Sequence, residues 1–346
     1  MAVQSRGFWA HIHAPKVYSR SLCFTATFGL GVGLLSCMLL LFFTGALLLF
    51  TYIPSMQGAY SSLQEITWSY PYGHFIRTVH NISGTVFVIL LALHFFRVLW
   101  AGAYGGTRYK NYVIGVSLMG LGLCTFVTGY ILPMDQVAYW ALTVGLTLLE
   151  YFPAGNFLKH LVLGGATIDT PTVVRLYFMH VAVFPLLLVL LSFLHLWRVR
   201  KDNGLYVQSK KHSVQKLTAD PHAYIREATL FIVTVIAILL IAHFFPASLE
   251  PRAAPLYPPN PVKAIWLLVG TQELLSFSVF WGGVIPIVLC SIFFVFYPRV
   301  ACDQYGHPIQ SRRYFLFSTA ISVTAIYIGC TIVAIWFRGP NWLLLY

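Results

Sequence analysis

The chain has 346 residues, of which 58% are hydrophobic and only 9% are charged, and its formal net charge is +12. A soluble domain carries about a quarter of charged residues, so this composition excludes an ordinary water-soluble protein. The basic residues flank apolar segments and form no separate patch, so we expect no nucleic-acid partner.

Apolar stretches long enough to cross a bilayer recur along the whole chain, since about 20 residues of helix span the hydrocarbon core. They predict an all-α integral membrane protein with seven spans. We label these segments A to G in chain order: 26–52, 75–102, 112–132, 172–198, 227–246, 275–297 and 314–337.

Lys and Arg residues concentrate in alternate connecting stretches, and cytoplasmic loops of membrane proteins hold such an excess. The N-terminal tail and the B–C, D–E and F–G loops are basic, and the D–E loop (199–226) is the most basic part of the chain. The A–B and C–D loops carry mainly acidic charge. This alternation predicts an N-terminus inside and a C-terminus outside.

Two of the predicted outer stretches carry structural signals of their own. The stretch 133–171 is amphipathic and aromatic, which predicts helices lying along the outer interface. The stretch 247–262 contains five prolines, which predict an extended, ordered loop.

Segments B and D each carry two histidines, and ionisable residues inside a membrane span are costly and usually functional. His80 and His94 are 14 residues apart, and His180 and His195 are 15 residues apart. At about 100° per residue, 14 steps fall about 40° short of four turns and 15 steps exceed them by about 60°, so each pair lies near one helical face. A rise of about 1.5 Å per residue separates the members of each pair by about 21–22 Å, which places one histidine in each leaflet.

The predicted topology pairs these histidines between the two segments, because B and D both run from outside to inside. His80 can face His180 at the outer depth, and His94 can face His195 at the inner depth. Two facing imidazoles are the axial ligands of a six-coordinate haem iron. Zinc and copper sites need three or four ligands, and no further candidates lie at these depths. The pattern therefore predicts two stacked b-type haems. The alternative for a single histidine is that it only forms a hydrogen bond to a neighbouring helix, but the repeated pairs favour haem ligands.

Segments A and C repeat the 14-residue spacing with glycine. A helix can approach a flat porphyrin closely only where it has no side chain. By chain direction, Gly31 and Gly115 match the inner haem, and Gly45 and Gly129 match the outer haem. The alternative is glycine for helix packing, but that packing repeats every four residues.

Three arginines lie near these ligands and are candidates to pair with haem propionates, because guanidinium groups bind carboxylates well. They are Arg77, Arg97 and Arg175. The alternative for each is that it extends to the membrane interface and has no role in binding.

These features together resemble cytochrome b of the bc-type quinol-oxidising complexes: the paired histidines, the glycine quartet, Arg77, Arg97 and the string GYILPMDQVAYWA at 129–141. The resemblance is strong over about residues 20–200. The 15-residue step in segment D is similar to the plastid and Gram-positive type. Residues 205–346 resemble a three-helix subunit that is separate in the plastid complex. The resemblance thus implies a four-helix dihaem domain at 1–204 fused to a three-helix quinone-site domain at 205–346.

The resemblance also implies an activity. Quinol, including menaquinol, is oxidised near the outer haem, and one electron passes to a Rieske-type iron–sulfur protein or a c-type cytochrome. The other electron crosses to reduce quinone inside, and protons are translocated. The resemblance implies a dimeric respiratory complex with bound lipids, and the fused extension favours a bacterial inner membrane. By position, Arg198, Asp202 and Glu227 would line the inner quinone pocket.

One departure from the family pattern concerns the outer quinol site. The family carries Pro-Glu-Trp-Tyr after the proline-rich loop, and the aligned stretch here is NPVKAIWLLVGTQELL at 260–275. Trp266 is kept, but Ile265 stands where the proton-accepting glutamate belongs, and isoleucine cannot act as a general base. The outer-side candidates for that role are Asp135, His243, Glu250 and Glu273.

Two functions therefore stay open. The first is proton-translocating quinol oxidation that splits the two electrons, and the second is a haem conduit that does not split them, which Ile265 favours. The four intact histidines argue against a third, a structural subunit without haems. The plastid type carries an extra haem on a segment A cysteine; the matching position here is Gly29, and Cys37 lies deeper, so that haem is not carried over.

Overall fold

The computed structural model describes residues 16–18, 24–202, 216–218 and 222–345. These residues form helices joined by loops, together with one antiparallel pair of three-residue strands, β1 (Lys16–Tyr18) and β2 (Lys216–Thr218). The all-α membrane architecture is confirmed. The predicted domain boundary at 204/205 lies outside the described residues, as do most of the basic N-terminal tail and of the D–E loop.

The described residues up to 202 form helices α1 to α7, after a single helical turn at Phe24–Thr27. Their bounds are α1 Leu30–Leu49, α2 Gly58–Trp68, α3 Gly73–Ala101, α4 Tyr109–Ile131, α5 Gln136–Leu149, α6 Gly155–Leu163 and α7 Thr170–Lys201. Helix α7 is interrupted by a π turn at Met179–Val183.

The later part of the chain forms helices α8 to α11. Their bounds are α8 His222–Phe244, α9 Trp266–Phe277, α10 Val279–Val300 and α11 Gln310–Phe337. Helix α10 begins with a π turn at Val279–Val284, and α11 ends with one at Val333–Phe337. A 3-10 turn at Pro340–Trp342 follows.

Within the described ranges, seven helices are long and apolar enough to cross a membrane, as predicted: α1, α3, α4, α7, α8, α10 and α11. Large apolar side chains such as Phe43, Phe193 and Phe296 are more than half exposed on their surfaces. A membrane helix can expose such side chains to lipid without cost, because the lipid tails are equally apolar.

Helix α3 is the centre of the bundle, and several helices pack on it. Helix α1 lies against α3, α4 lies against α7, and α8 packs against both α1 and α3. One buried cluster joins Cys37 of α1 to Val79 of α3 and Ile238 of α8. A second cluster joins Leu99 of α3 to Leu316 of α11. The later helices therefore hold α3, which carries two of the predicted ligands, in a fixed position.

A layer of shorter helices lies at the end of the bundle where α4 ends and α7 begins. The amphipathic helices predicted in 133–171 are observed as α5 and α6. The Asp135 side chain accepts a hydrogen bond from the Ala138 amide at 2.9 Å and so caps α5. Helices α2 and α9 lie in stretches that hydropathy treats as polar connections, because each is too short to cross a membrane.

The proline-rich stretch 247–262 is an extended loop, as predicted, and it is fixed to the start of α5. The Gln136 amide donates to the carbonyl of Pro251 at 2.8 Å, and the Gln136 side chain bonds the backbone of Ala254 and Tyr257. These bonds satisfy backbone groups that would otherwise be costly near the membrane.

A buried ion pair joins α9 to the C-terminal segment. Glu273 is 2% exposed, and its two oxygens accept bonds from Nη2 of Arg338 at 2.6 Å and Nε at 3.0 Å. Nε1 of Trp342 donates to the same carboxylate at 2.9 Å. The arrangement satisfies both oxygens, as a buried carboxylate requires.

We expect Glu273→Gln to lower the stability of the purified protein by about 3 kcal/mol, because it leaves the Arg338 charge partly buried without its partner. The matched control is Glu150→Gln. Glu150 pairs with Lys159, but these side chains are 37% and 29% exposed, and such surface pairs contribute about 0–1 kcal/mol. Thermal unfolding in detergent measures both, and equal shifts would contradict the prediction.

Candidate functional site

The structure brings the four predicted histidines together as two facing pairs between α3 and α7. The ring centroids of His80 and His180 are 6.2 Å apart, with an interplanar angle of 73°. Those of His94 and His195 are 6.5 Å apart, at 75°. We call these the outer and inner pair, after their predicted depths.

The separation of the rings can be compared with what a shared metal requires. A metal binds an imidazole nitrogen at about 2.0–2.1 Å, which puts the ring centroid about 3.2 Å from the metal. Two rings on opposite sides of one iron would therefore have centroids about 6.4 Å apart. The observed separations match this value, and no cluster of three or more His, Cys, Asp or Glu suited to a metal occurs in the described part of the chain. The residues fit a haem with two axial histidines at each depth.

Three of the four glycines lie directly against these rings. A Cβ added to Gly45 would lie 3.2 Å from Cε1 of His80, and one added to Gly115 would lie 3.3 Å from Cε1 of His195. A Cβ on Gly129 would overlap Cε1 of His180. A Cβ on Gly31 meets nothing within 4 Å. The glycines therefore make room for the ligand rings themselves.

The π turn of α7 contains His180. Its defining bond runs from the Phe184 amide to the carbonyl of Met179, and Pro185, which has no amide proton, follows at the next position. A π turn holds more residues than an α turn and rotates less per residue. The spacing of His180 and His195 is one residue longer than that of His80 and His94. The π turn offsets this additional residue, so both rings of α7 face α3.

Threonines hold the ring nitrogens of the outer pair. Oγ1 of Thr44 lies 2.9 Å from Nδ1 of His80. Nδ1 of His180 lies 3.0 Å from the carbonyl of Thr125 and 3.3 Å from Oγ1 of Thr128. Such partners orient a ligand ring before the metal binds.

The three arginines predicted near the ligands contact backbone carbonyls. Arg77 donates to the carbonyls of Ala247 and Ser248, and Arg97 donates to that of Ala26 at 2.6 Å. Arg175 donates to the carbonyls of His160 and Leu161. Nε of Arg77 and of Arg97 is buried without a hydrogen-bond partner among the described residues.

At the predicted inner end, Arg198 and Asp202 form an ion pair with a separation of 3.4 Å. Arg108 donates to the carbonyl of Asp202 at 2.6 Å. A cavity of about 230 Å³ lies between α1, α3 and α8. Its lining includes Gly33, Leu90 and Leu230, and Leu230 lies about one turn beyond Glu227 on α8.

At the predicted outer end, Asp135 is buried between α4 and the proline-rich loop. It pairs with Arg252 in an isolated backbone bridge, and Glu250 also lies close to it. Burial raises the pKa of the Asp135 carboxyl above its ordinary value, although the Ala138 amide bond opposes this. Trp266 begins α9, and its ring contacts that of Phe126 on α4.

Comparisons with known proteins agree with this geometry. The family model described as Cytochrome b/b6/petB matches residues 16–203. Cytochrome b6 of Synechococcus sp. (strain WH7803) is 36% identical over 169 residues, which cover 49% of this chain and 78% of that protein. Cytochrome b6 of Synechococcus elongatus is 36% identical over 169 residues, covering 49% of this chain and 79% of that protein.

The chain belongs to the cytochrome b/b6 family.

A solved structure described as "Hyperthermophilic respiratory Complex III" shares the fold beyond the family match. It superposes with a TM-score of 0.75 and covers 93% of each chain, at 21% identity. Members of the cytochrome b/b6 family bind b-type haem and are subunits of quinol oxidoreductases, so this chain is an integral membrane cytochrome b of that kind.

One position distinguishes this cytochrome b from the plastid type. Gly29 has a φ of +67°, and an added Cβ would lie 2.7 Å from Cδ1 of Leu230. A cysteine there would be strained in its backbone and would clash with that side chain. The residues therefore do not fit a covalently attached extra haem at this position.

The two threonines beside the outer pair of this cytochrome b were not predicted from the sequence. Thr44 and Thr128 each stand directly before a glycine of the predicted quartet, Gly45 and Gly129. The repeated Thr-Gly dipeptide is a signal that could have found them. The ion pair of Glu273 with Arg338, residues 65 positions apart, was not predicted either.

Proposed function

We propose that the chain moves electrons across the membrane between an outer and an inner quinone site, with coupled proton translocation. The observation that carries this proposal is the two facing histidine pairs, about 21 Å apart along α3. His80 and His180 would hold an outer b haem, and His94 and His195 an inner one. When bound, these groups supply one-electron transfer.

The residues around each pair would position these groups. Gly45 and Gly129 leave room for the rings of the outer pair, and Gly115 does so for His195. Gly31 faces open space, which suits a close approach of the inner macrocycle. Arg77, Arg97 and Arg175 are proposed partners of the propionates, and the free buried Nε atoms of the first two supply donors for this role.

The inner quinone or menaquinone would bind near the cavity between α1, α3 and α8. The apolar lining suits an isoprenoid quinone. Arg198, Asp202 and Glu227 are the proposed polar groups of this site. Asp202 is 9% exposed, and its Oδ2 makes no hydrogen bond of good geometry with the described residues.

The outer quinol would bind between α4, α9 and the proline-rich loop, where Trp266 packs against Phe126. We propose Asp135, assisted by the neighbouring Glu250, as the proton acceptor in place of the missing glutamate. A carboxyl with a raised pKa is better matched to this role than an ordinary one. Glu273 is the weaker candidate, because Arg338 and Trp342 already occupy its carboxylate.

The assembly around this chain follows from the same proposal. The chain would combine a dihaem domain (1–204) with a quinone-site domain (205–346), in a dimeric complex with a Rieske-type iron–sulfur protein or a c-type cytochrome. It would lie in a bacterial inner membrane with its N-terminus inside and its C-terminus outside. The basic inner loops support this orientation.

A second function is favoured by Ile265, which precedes α9 and has no titratable group. The chain would then conduct electrons between the quinone pool and an external cytochrome or dehydrogenase, without splitting the two electrons of quinol. Both functions need the same four histidines. They differ only in the chemistry of the outer site.

The test uses the native complex, purified with its subunits and supplied with quinol, an inner-site inhibitor and a pulse of oxidant. We expect the b-haem absorbance to show reduction on addition of the oxidant, because removal of one quinol electron forces the other into the b haems. No oxidant-induced reduction would favour the conduit. A preparation with no b-haem spectrum would overturn both functions.

A further inference from the structure

The two helices that support the outer pair carry the same dipeptide at the point of contact. Thr44-Gly45 on α1 faces His80, and Thr128-Gly129 on α4 faces His180. In each case the glycine makes room for the ring and the threonine hydroxyl lies beside Nδ1. Thr44 and Thr128 are both buried, at 4% and 7% exposure.

The hydrogen bonds of Thr44 determine which nitrogen of His80 carries the proton. Oγ1 of Thr44 donates its one proton to the carbonyl of Leu40 at 2.7 Å. A hydroxyl has one donor and two acceptor positions, so this oxygen can only accept from Nδ1 of His80. Nδ1 therefore carries the proton, and Nε2 is left unprotonated as a metal ligand.

The same reasoning applies to His180, with one difference. Oγ1 of Thr128 donates to the carbonyl of Cys124 at 2.9 Å, so it too can only accept. The carbonyl of Thr125 is a second acceptor, and at 3.0 Å it lies closer to Nδ1 than Thr128 does. His180 thus has a backbone acceptor that no side-chain substitution removes.

The inner pair lacks these hydroxyls. Leu30 and Ile114 stand before Gly31 and Gly115, where the outer pair has threonine. Nδ1 of His195 makes no hydrogen bond of good geometry to the described residues, although the backbone of Asn111 approaches it. The ring N–H of His195 is therefore held less strongly than those of the outer pair.

We propose that Thr44 is a positioning residue. Its hydroxyl fixes the tautomer of His80 and lowers the reduction potential of the outer haem relative to the inner one. This rests on the proposed ligation of the outer haem by His80 and His180. An acceptor on Nδ1–H makes Nε2 more basic, and a more basic ligand favours ferric over ferrous iron. Thr128 contributes less, because Thr125 holds His180 without it.

The test is a redox titration of the purified haem-loaded protein carrying Thr44→Val, which keeps the shape and removes the hydroxyl. We expect the outer haem to become about threefold to tenfold easier to reduce, at about 59 mV per tenfold for one electron. Its low-spin ferric EPR signal should shift as well. The inner haem should keep its potential.

Three matched variants separate this role from a packing effect. Thr44→Ser keeps the hydroxyl and should restore the parent potential. Thr128→Val should shift the outer haem less than Thr44→Val does. Thr319→Val on α11 removes the same kind of bond, from Oγ1 to the carbonyl of Phe315 at 2.8 Å, away from the histidines. It should shift neither haem.

The outcomes for the two proposals are distinct. If the parent protein titrates with two b haems and Thr44→Val moves neither, the role of Thr44 is wrong while the ligation stands. If Thr44→Ser shifts the potential as far as Thr44→Val, the effect comes from packing and the role is also wrong. If the parent holds no b haem, the proposed function itself fails.

Discussion

His180→Ala is expected to halve the haem content of the purified protein. His180 is proposed to hold the outer haem together with His80, so its loss would leave that haem with one of its two bonds from iron to protein. The inner pair lies about 21 Å away along α3 and should keep its haem. Pyridine-haemochrome absorbance per mole of protein measures the loss, with His160→Ala, an exposed residue of α6, as the control.

Double variants test the pairing itself. The double variant His80→Ala with His180→Ala removes both proposed ligands of one haem, so it should lose no more haem than either single variant. His80→Ala with His94→Ala takes one ligand from each haem and should remove nearly all of it. If the first combination loses as much as the second, the histidines are paired differently from the facing rings seen here.

Gly129→Ala is expected to weaken binding of the outer haem by about tenfold or more, a usual size for a change beside a metal ligand. The added Cβ would overlap Cε1 of His180 and lie 3.0 Å from Nε2, the nitrogen proposed to bind iron. Helix α4 and the ring would have to move apart. Haem retained after dilution or mild chelation measures the effect.

Gly120→Ala is the matched control, because it adds the same Cβ to the same helix where nothing lies within 4 Å. Alanine favours a helix by about 1 kcal/mol over glycine at both positions, so helix propensity cannot separate them. We expect Gly120→Ala to keep both haems. Equal haem retention in the two variants would show that the contact of Gly129 with His180 does not matter.

Hydropathy and residue spacing predicted much of this fold, because a membrane span must be long, apolar and helical. The seven spans follow directly from that constraint. The pairing of the histidines could be predicted for a related reason. Ionisable residues are rare in membrane spans, so four histidines at regular spacing in two spans are expected to form a common site.

The parts that spacing could not predict depend on contacts between distant residues. Helix α9 is too short to cross a membrane, and an ion pair between Glu273 and Arg338 links it to a segment 65 residues later. The sequence predicted Arg77 as a partner of a propionate, but it could not predict the hydrogen bonds from Arg77 to the carbonyls of Ala247 and Ser248, about 170 residues away. Which threonine holds a ring nitrogen is likewise a question of side-chain direction in three dimensions.

The π turn at Met179–Val183 affects how the sequence spacing of two histidines should be interpreted. His180 and His195 are 15 positions apart and His80 and His94 are 14 apart, and in straight α-helices these two spacings would differ by about 100° of rotation. A single backbone bond from Phe184 to Met179 takes up that difference locally. An additional residue beside a histidine can therefore leave the facing arrangement of both ring pairs unchanged, so the sequence separation of two such histidines does not by itself give their relative orientation.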